Sequence, residues 1–210
     1  MRQYQLNTLV LGIVQTNCYI LSNPISKEAI VFDPGDQAEK IEEYLSKHGL
    51  TCVGILLTHG HFDHIMAVEE LAKRTGAKVY AQEEEKQLLE DPQLNASARV
   101  HHPCSVTADE FLQDQESLTL AGFLLRVIHT PGHTAGGACY YFPELEILFS
   151  GDTLFLESIG RSDLPTGDGA VLVASIRNKL MTLEDDIQVY PGHGETTTIG
   201  HEKEYNPYLN

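Results

Sequence analysis

Apolar positions fall along the chain in two rhythms. Short runs rich in Val, Ile, Leu, Tyr and Phe, bounded by Asn, Pro or Gly, predict strands over residues 4–14, 17–22, 28–32, 52–57, 78–81, 147–149 and 187–190. The first three predict an opening antiparallel sheet. Residues 118–128 predict a hairpin turning at Ala121-Gly122, and 138–149 predict a second one. The run 52–57 is apolar without interruption, which suits a strand covered on both faces. A helical period appears over 38–48, where Ile41, Tyr44 and Leu45 share a face and Asp36 is placed to cap. Further helices are predicted over 65–75, closed by Gly76, over the acidic stretch 83–90, over 169–183, and in the tail over 197–205. Residues 91–108 and 154–167 read as loops.

Composition narrows the class. With 210 residues, 42% of them hydrophobic, and no Pro/Ser/Gly-rich linker, residues 1–210 are expected to form one domain around one core. A net charge of −16 repels phosphate backbones and anionic membranes, which points away from nucleic acid and towards a small-molecule substrate. The sequence shows no basic segment leading into an apolar core with a cleavage site and no run long enough to span a bilayer, so a cytoplasmic protein is expected. Cys18, Cys52, Cys104 and Cys139 are dispersed without a Cys-x-x-Cys pair, which argues for free thiols over disulfides or a zinc ribbon.

The chemistry concentrates in Thr58-His59-Gly60-His61-Phe62-Asp63-His64, directly after the 52–57 strand. Imidazole and carboxylate suit zinc, iron and manganese. In an extended loop His59 and His61 point to one side, while Asp63 and His64, at the turn into a helix, can face a second ion. Two coordination spheres need more ligands, and three strand ends offer them: His133 in Thr130-Pro131-Gly132-His133-Thr134, Asp152 in Ser150-Gly151-Asp152-Thr153, and His193 in Tyr190-Pro191-Gly192-His193-Gly194. Asp33-Pro34-Gly35 reads from its residues as a turn and helix entry. Arg161 reads either as an anchor for a substrate carboxylate or as a salt-bridge partner of Asp163 or Asp168. His48 is expected at a helix C-terminus, His129 outside the metal set, and Glu83, Glu84 and Glu85 on a solvated face. His101 and His102 diverge too far to share an ion, though either could line a substrate entrance.

These motifs resemble the metallo-β-lactamase superfamily, whose His-x-His-x-Asp-His loop is followed by a His, an Asp and a last His. Thr-Pro-Gly-His-Thr at 130–134, Ser-Gly-Asp-Thr-Leu-Phe at 150–155 and Gly160-Arg161-Ser162-Asp163-Leu164-Pro165 resemble the glyoxalase II (hydroxyacylglutathione hydrolase) group and its short bacterial relatives. The resemblance implies an α+β fold, a four-layer αββα sandwich of two mixed β-sheets flanked by helices. It implies two divalent ions, zinc first with iron or manganese as alternatives. His59, His61 and His133 would hold one, Asp63, His64 and His193 the other, and Asp152 would lie between them. Asp63 and Asp152 would thereby be the catalytic carboxylates, and Asp33, whose Asp-Pro-Gly lies beneath the metal loop in this superfamily, would either support a ligand from behind or serve as the turn alone. The implied reaction is hydrolysis of a thioester, such as an S-acylglutathione-like substrate, by a hydroxide shared between the ions. The chain ends before the C-terminal helical domain that holds glutathione in full-length glyoxalase II, and Gly160-Arg161-Ser162-Asp163 stands where that group has Lys and Tyr. The thiol half of the substrate is therefore left open. A persulfide dioxygenase of the same superfamily, with one iron on His59, His133 and Asp152, is the first alternative. A metallo-hydrolase of another ester or lactone, and a purely structural metal site, are the others.

Overall fold

The computed structural model describes residues 3–209. Met1 and Arg2, which begin the stretch read for a leader segment, lie outside the described residues, as does Asn210. Strands β1 (Gln5–Leu11), β2 (Thr16–Ser22) and β3 (Glu28–Phe32) form the expected antiparallel meander. Helix α1 (Ala38–Lys47) leads to β4 (Thr51–Leu56), followed by helices α2 (Phe62–Ile65) and α3 (Val68–Thr75) and strand β5 (Lys78–Gln82). Helix α4 (Lys86–Glu90) then precedes β6 (Glu110–Leu112), and β4, β5 and β6 add to β3 in parallel. Among the described residues the first sheet thus has six strands in the order β1-β2-β3-β4-β5-β6.

The second sheet is assembled from the rest of the chain. It contains β7 (Ser117–Leu120), β8 (Phe123–His129), β9 (Ala138–Phe142) and β10 (Ile147–Gly151) in an antiparallel run. A short hairpin, β11 (Leu154–Phe155) and β12 (Ser158–Ile159), and helix α5 (Gly169–Ser175) follow. Strand β13 (Gln188–Pro191) then joins β10 in parallel, with β14 (Thr197–Thr198) and helix α6 (Ile199–Tyr205) completing the chain.

The layers follow from period-two patterning with apolar residues on both faces. On β2 and β3, Cys18, Ile20, Ala29 and Val31 pack with Ile41 and Leu45 of α1 and Val68 and Leu71 of α3. The alternate residues Tyr19, Leu21, Ile30 and Phe32 meet Phe123, Tyr140, Phe142 and Phe149 of the second sheet. Cys139, Tyr141 and Leu148 point away from that interior and meet Leu172, Ile176 and Ile199. Three apolar interfaces between four layers result: two mixed sheets face to face, with helices on both outer faces. At the centre Phe32 stacks on Phe149, ring centroids 3.9 Å apart and planes 18° from parallel. All four cysteines are free, and Cys18, Cys52 and Cys139 are buried.

Several predicted elements differ in detail. The 65–75 helix is two helices, because the Ala67 amide donates to Pro34 O at 3.0 Å and leaves the helical ladder. The 83–90 helix begins as a 3-10 turn over Glu83–Glu85, whose Glu84 amide is capped by the Gln82 side chain at 2.7 Å. Asp36 does not cap α1: its carboxylate accepts from the adjacent Gln37 amide, and Gln37 occupies the cap with a left-handed φ of 55°. The 154–167 loop contains the β11–β12 hairpin. The 169–183 helix gives way after Ser175 to a π-helical turn over Ile176–Leu180. Asp168 caps its start by accepting from the Ala170 and Val171 amides.

Candidate metal centre

Strand direction gathers the site. In the second sheet β8, β10 and β13 run the same way, so the turns after them open on one edge of the sandwich. His133 follows β8, Asp152 directly follows β10, and His193 follows β13. Across the interior, β4 delivers His59 and His61 to the same edge, and Asp63 and His64 lie in the single turn of α2. The structure brings all seven together. His59, His61 and His133 form one group, Asp63, His64 and His193 a second, and His59, His64 and Asp152 a third that joins them. Within each group the ligand atoms lie within 4.8 Å of one another.

The nitrogen geometry fixes which atoms face inwards. His133 Nδ1 lies 2.7 Å from Arg161 O, and a carbonyl only accepts, so Nδ1 carries a proton and Nε2 is the nitrogen turned inwards. That Nε2 sits 2.9 Å from His61 Nδ1 and 3.2 Å from His59 Nε2. His64 is held from behind: its Nδ1 lies 3.0 Å from Asp33 Oδ2, turning Nε2 towards Asp152 Oδ1 at 3.4 Å and Asp63 Oδ2 at 3.6 Å. His193 Nε2 lies 3.2 Å from Asp63 Oδ2 and 3.6 Å from Asp152 Oδ2.

The electrostatics splits the histidines into two kinds. Burial, reinforced by the neighbouring imidazoles, lowers His59 well below the ordinary range and His61 to about 3, so both are neutral at neutral pH, each with one nitrogen free to accept. Burial also opposes charge on His64, but Asp63, Asp152 and Asp33 outweigh it and hold that imidazolium up to about 10. His193 is raised against its own burial by Asp63 and Asp152. Asp63 is lowered despite burial, because His64 and His193 face it.

A cation fits this cavity. His64 Nε2 and Asp152 Oδ1 are buried with no hydrogen-bond partner among the described residues, although each is a strong polar atom. The two atoms face each other at 3.4 Å as an ion pair without a hydrogen bond between them; a divalent ion among them and the inward-facing nitrogens would satisfy both. Close approach is built into the backbone, since a Cβ on Gly192 would strike Asp152 Oδ1 and the His64 ring. The centre opens to an approximately 490 Å³ pocket walled by Val14, Phe62, Ala96, Phe155, Leu164 and Arg161.

Supporting residues sort as follows. Asp33, open to two readings in sequence, is buried and accepts from the Thr58 amide at 2.8 Å and the Thr58 hydroxyl at 2.6 Å as well as facing His64. It therefore supports a ligand. Arg161 is paired in a fork with Asp163 at 2.7 and 2.8 Å, with both side chains exposed, while also lining the pocket. His129 turns its Nε2 to Ala135 O, His48 bonds Tyr44 O just after α1, and exposed His101 and His102 are not among the pocket's lining residues. The expectation for Glu85 is corrected: Glu83 and Glu84 are exposed, but Glu85 is buried at 1% exposure against the metal loops. A 3-10 turn points it inwards where a regular solvated helix face was expected. Asn17 also had no signal in sequence: its side chain donates to Pro191 O and Gly194 O and braces the His193 turn. Thr16 donates to Asp63 Oδ2 at 3.1 Å.

Comparison with known proteins agrees with this layout. Residues 11–193 match the sequence model of the metallo-beta-lactamase superfamily. The probable metallo-hydrolase YqgX of Bacillus subtilis is 38% identical over 202 residues, covering 95% of each chain. Hydroxyacylglutathione hydrolase GloC of Haemophilus influenzae is 38% identical over 202 residues, covering 93% of each. Among solved structures, BLEG-1 B3 metallo-beta-lactamase has a TM-score of 0.93 at 45% identity, covering 98% of this chain and 99% of its own. TTHA1623 in a di-iron-bound form has a TM-score of 0.86 at 36% identity, covering 97% and 100%. ETHE1 from Myxococcus xanthus has a TM-score of 0.79 at 26% identity, covering 97% and 83%. A match that runs from the first strand to His193, laid over a His/Asp cluster suited to divalent metal, makes this chain a metallo-hydrolase that belongs to the metallo-beta-lactamase superfamily.

Proposed function

We propose that the chain is a binuclear thioesterase acting on a small-molecule acyl thioester. His59, His61 and His133 would hold one divalent ion and Asp63, His64 and His193 the other, with Asp152 standing between the two groups. Zinc suits these nitrogen and oxygen donors, and the di-iron form of TTHA1623 keeps iron in view. The bound ions supply Lewis acidity and lower the pKa of water towards neutrality. The chain's own residues do the rest. Asp152 fixes the separation of the two halves, Asp33 and Arg161 O orient the rings of His64 and His133, and Val14, Phe62, Phe155 and Leu164 exclude water from the reacting face.

The observation that carries the thioester reading is what the pocket lacks. Among the described residues, every titratable side chain lining it is either in the seven-residue cluster or is Arg161, so outside the cluster no general acid faces it. A leaving group must then depart unassisted. A thiolate, from a thiol of pKa about 8.5, does so far more readily than an alkoxide or amide nitrogen. The similarity to GloC, named a hydroxyacylglutathione hydrolase, supports the same class. A panel of S-acyl thioesters, oxygen esters, lactones and phosphodiesters tests it: turnover is expected for thioesters first, and turnover of lactones or phosphodiesters alone contradicts it.

A second reading is favoured by one observation, the likeness to ETHE1 together with the Gly160-Arg161-Ser162-Asp163 loop. A persulfide dioxygenase would hold a single iron on His59, His133 and Asp152. Oxygen uptake on glutathione persulfide, with one iron per chain, would establish that reading and displace the thioesterase.

A further inference from the structure

The first ion's three proposed ligands come from two loops that share no strand and are 72 residues apart between His61 and His133. Something must hold those loops together. At their bases one backbone bond joins them, the Ala138 amide donating to Thr58 O at 2.8 Å, and beyond it the pocket side offers the ligands themselves. Behind the loops lies Glu85, 1% exposed, at the end of the 3-10 turn that follows β5. Its Oε1 accepts from the Gly60 amide at 2.7 Å, between His59 and His61 in sequence. Its Oε2 accepts from the Gly136 amide at 2.8 Å, in the loop that carries His133. One carboxylate thus ties both loops through charge-assisted hydrogen bonds, one oxygen to each.

The surroundings are shaped to this contact. A Cβ on Gly136 would collide with the Glu85 backbone, so that loop must pass the turn as glycine. A Cβ on Gly60 would press on Leu88 and Leu89 of α4 at 2.8 and 3.0 Å. Burial pushes the Glu85 carboxyl up to about 7 against the pull of the Gly60 amide, the Thr134 hydroxyl and the Gly136 amide, which marks an expensive place for an acid. Glu83 and Glu84, its neighbours, stay in solvent.

We propose that Glu85 is a positioning residue for the metal centre: it sets the spacing of the His59–His61 loop and the His133 loop, and so the affinity of the ion those three histidines hold. The inference rests on the ligand assignment proposed above. Among the described residues the Glu85 oxygens accept from the Gly60 and Gly136 amides, which lie beside ligands of the first ion, and no hydrogen bond joins the carboxylate to the Asp63, His64 or His193 side chains that would hold the other.

The test is a zinc titration of metal-free wild type, Glu85→Gln, Glu85→Ala and Glu84→Gln against a chromophoric chelator, with His193→Ala identifying the step that belongs to the second ion. Loss of Glu85 is expected to weaken the step assigned to His59, His61 and His133 by about 10- to 100-fold, the range for residues that orient metal ligands from outside. The His193-dependent step and the Glu84→Gln protein are expected to stay within a few-fold of wild type. Glu85→Gln keeps the volume and one acceptor but turns an NH2 towards an amide N–H, so it should lie between wild type and Glu85→Ala. An unchanged first step, or equal weakening of both steps, would overturn the proposal; the latter would mark Glu85 as a general fold support. Should Glu85→Ala not fold when metal-free, Glu85→Gln alone decides. If wild type takes up a single ion, the two-ion reading fails, and Glu85 is then judged on that ion, which His59 and His133 hold on either reading.

Discussion

At the residue scale the centre is a division of labour between neutral and protonated imidazoles. His59 and His61 are neutral in the metal-free protein, while the carboxylates around His64 keep it charged up to about pH 10. The sign follows. His64 has a raised folded pKa, so its contribution to metal-free stability is fully present below about 6.5 and is lost as pH rises through about 10. His61 has a depressed one, so the metal-free fold loses stability as pH falls from about 6.5 towards 3. A metal ligand must be unprotonated, so zinc uptake at pH 7 is expected to expel at least one proton. Calorimetric titration in two buffers of different ionisation enthalpy should give heats that differ accordingly; identical heats would contradict the charged His64. His61→Ala and Asp152→Ala are expected to abolish turnover by dismantling the cluster, and an unchanged kcat in either would contradict the assignment. Most of these residues were legible because imidazole and carboxylate are conspicuous at strand ends. Asp33 was half legible, since an Asp-Pro-Gly looks the same whether it makes a turn or holds a histidine. Glu85 was misread: three contiguous glutamates look solvated, and only the 3-10 turn directs the third inwards.

Elements carry the site because both sheets present their strand ends at one edge. That arrangement depends on the aromatic stack between the sheets, where Phe32 is 1% exposed and lies against Phe149. Phe32→Ala should cost about 3–5 kcal/mol in urea unfolding, the usual range for emptying such a position. A loss below 1 kcal/mol would mean that the sheets are held together elsewhere. The His193 turn is a second dependence, because Gly192 leaves no room beside Asp152 and His64. Gly192→Ala is expected to lower metal content sharply while the circular dichroism of the metal-free protein stays near wild type. Strands were legible from their β-branched runs, and β3 was placed to the residue. Helix ends were less so. The break at Ala67 depends on a hydrogen bond to Pro34, 33 positions away in sequence, and no local pattern of residues announces it.

For the whole molecule the dominant quantity is a charge of −16, and among the described residues the one Lys or Arg lining the pocket, Arg161, is already forked to Asp163. The two divalent ions proposed for the centre offset only part of that charge, so an anionic substrate still approaches against the net field of the protein. Raising the salt from about 10 to 150 mM shortens the screening length from about 30 to 8 Å. For an anionic S-acylglutathione, kcat/KM should rise across that range, and for a neutral thioester it should stay flat. A fall for the anionic substrate would show that Arg161 leaves Asp163 to bind it. Among the described residues no helix is long and apolar enough to cross a membrane. The sandwich itself was not deducible from period and composition, which distinguish strands from helices but not how two sheets face each other; it came from the resemblance carried by the ligand motifs.

Seven side chains from one loop and three later strand ends are proposed to hold a pair of ions. Anomalous diffraction from crystals grown with zinc tests this most directly. Two peaks about 3.5–4 Å apart are expected, one against His59, His61 and His133, the other against Asp63, His64 and His193, with Asp152 reaching both. A single peak, or peaks away from these residues, would contradict it.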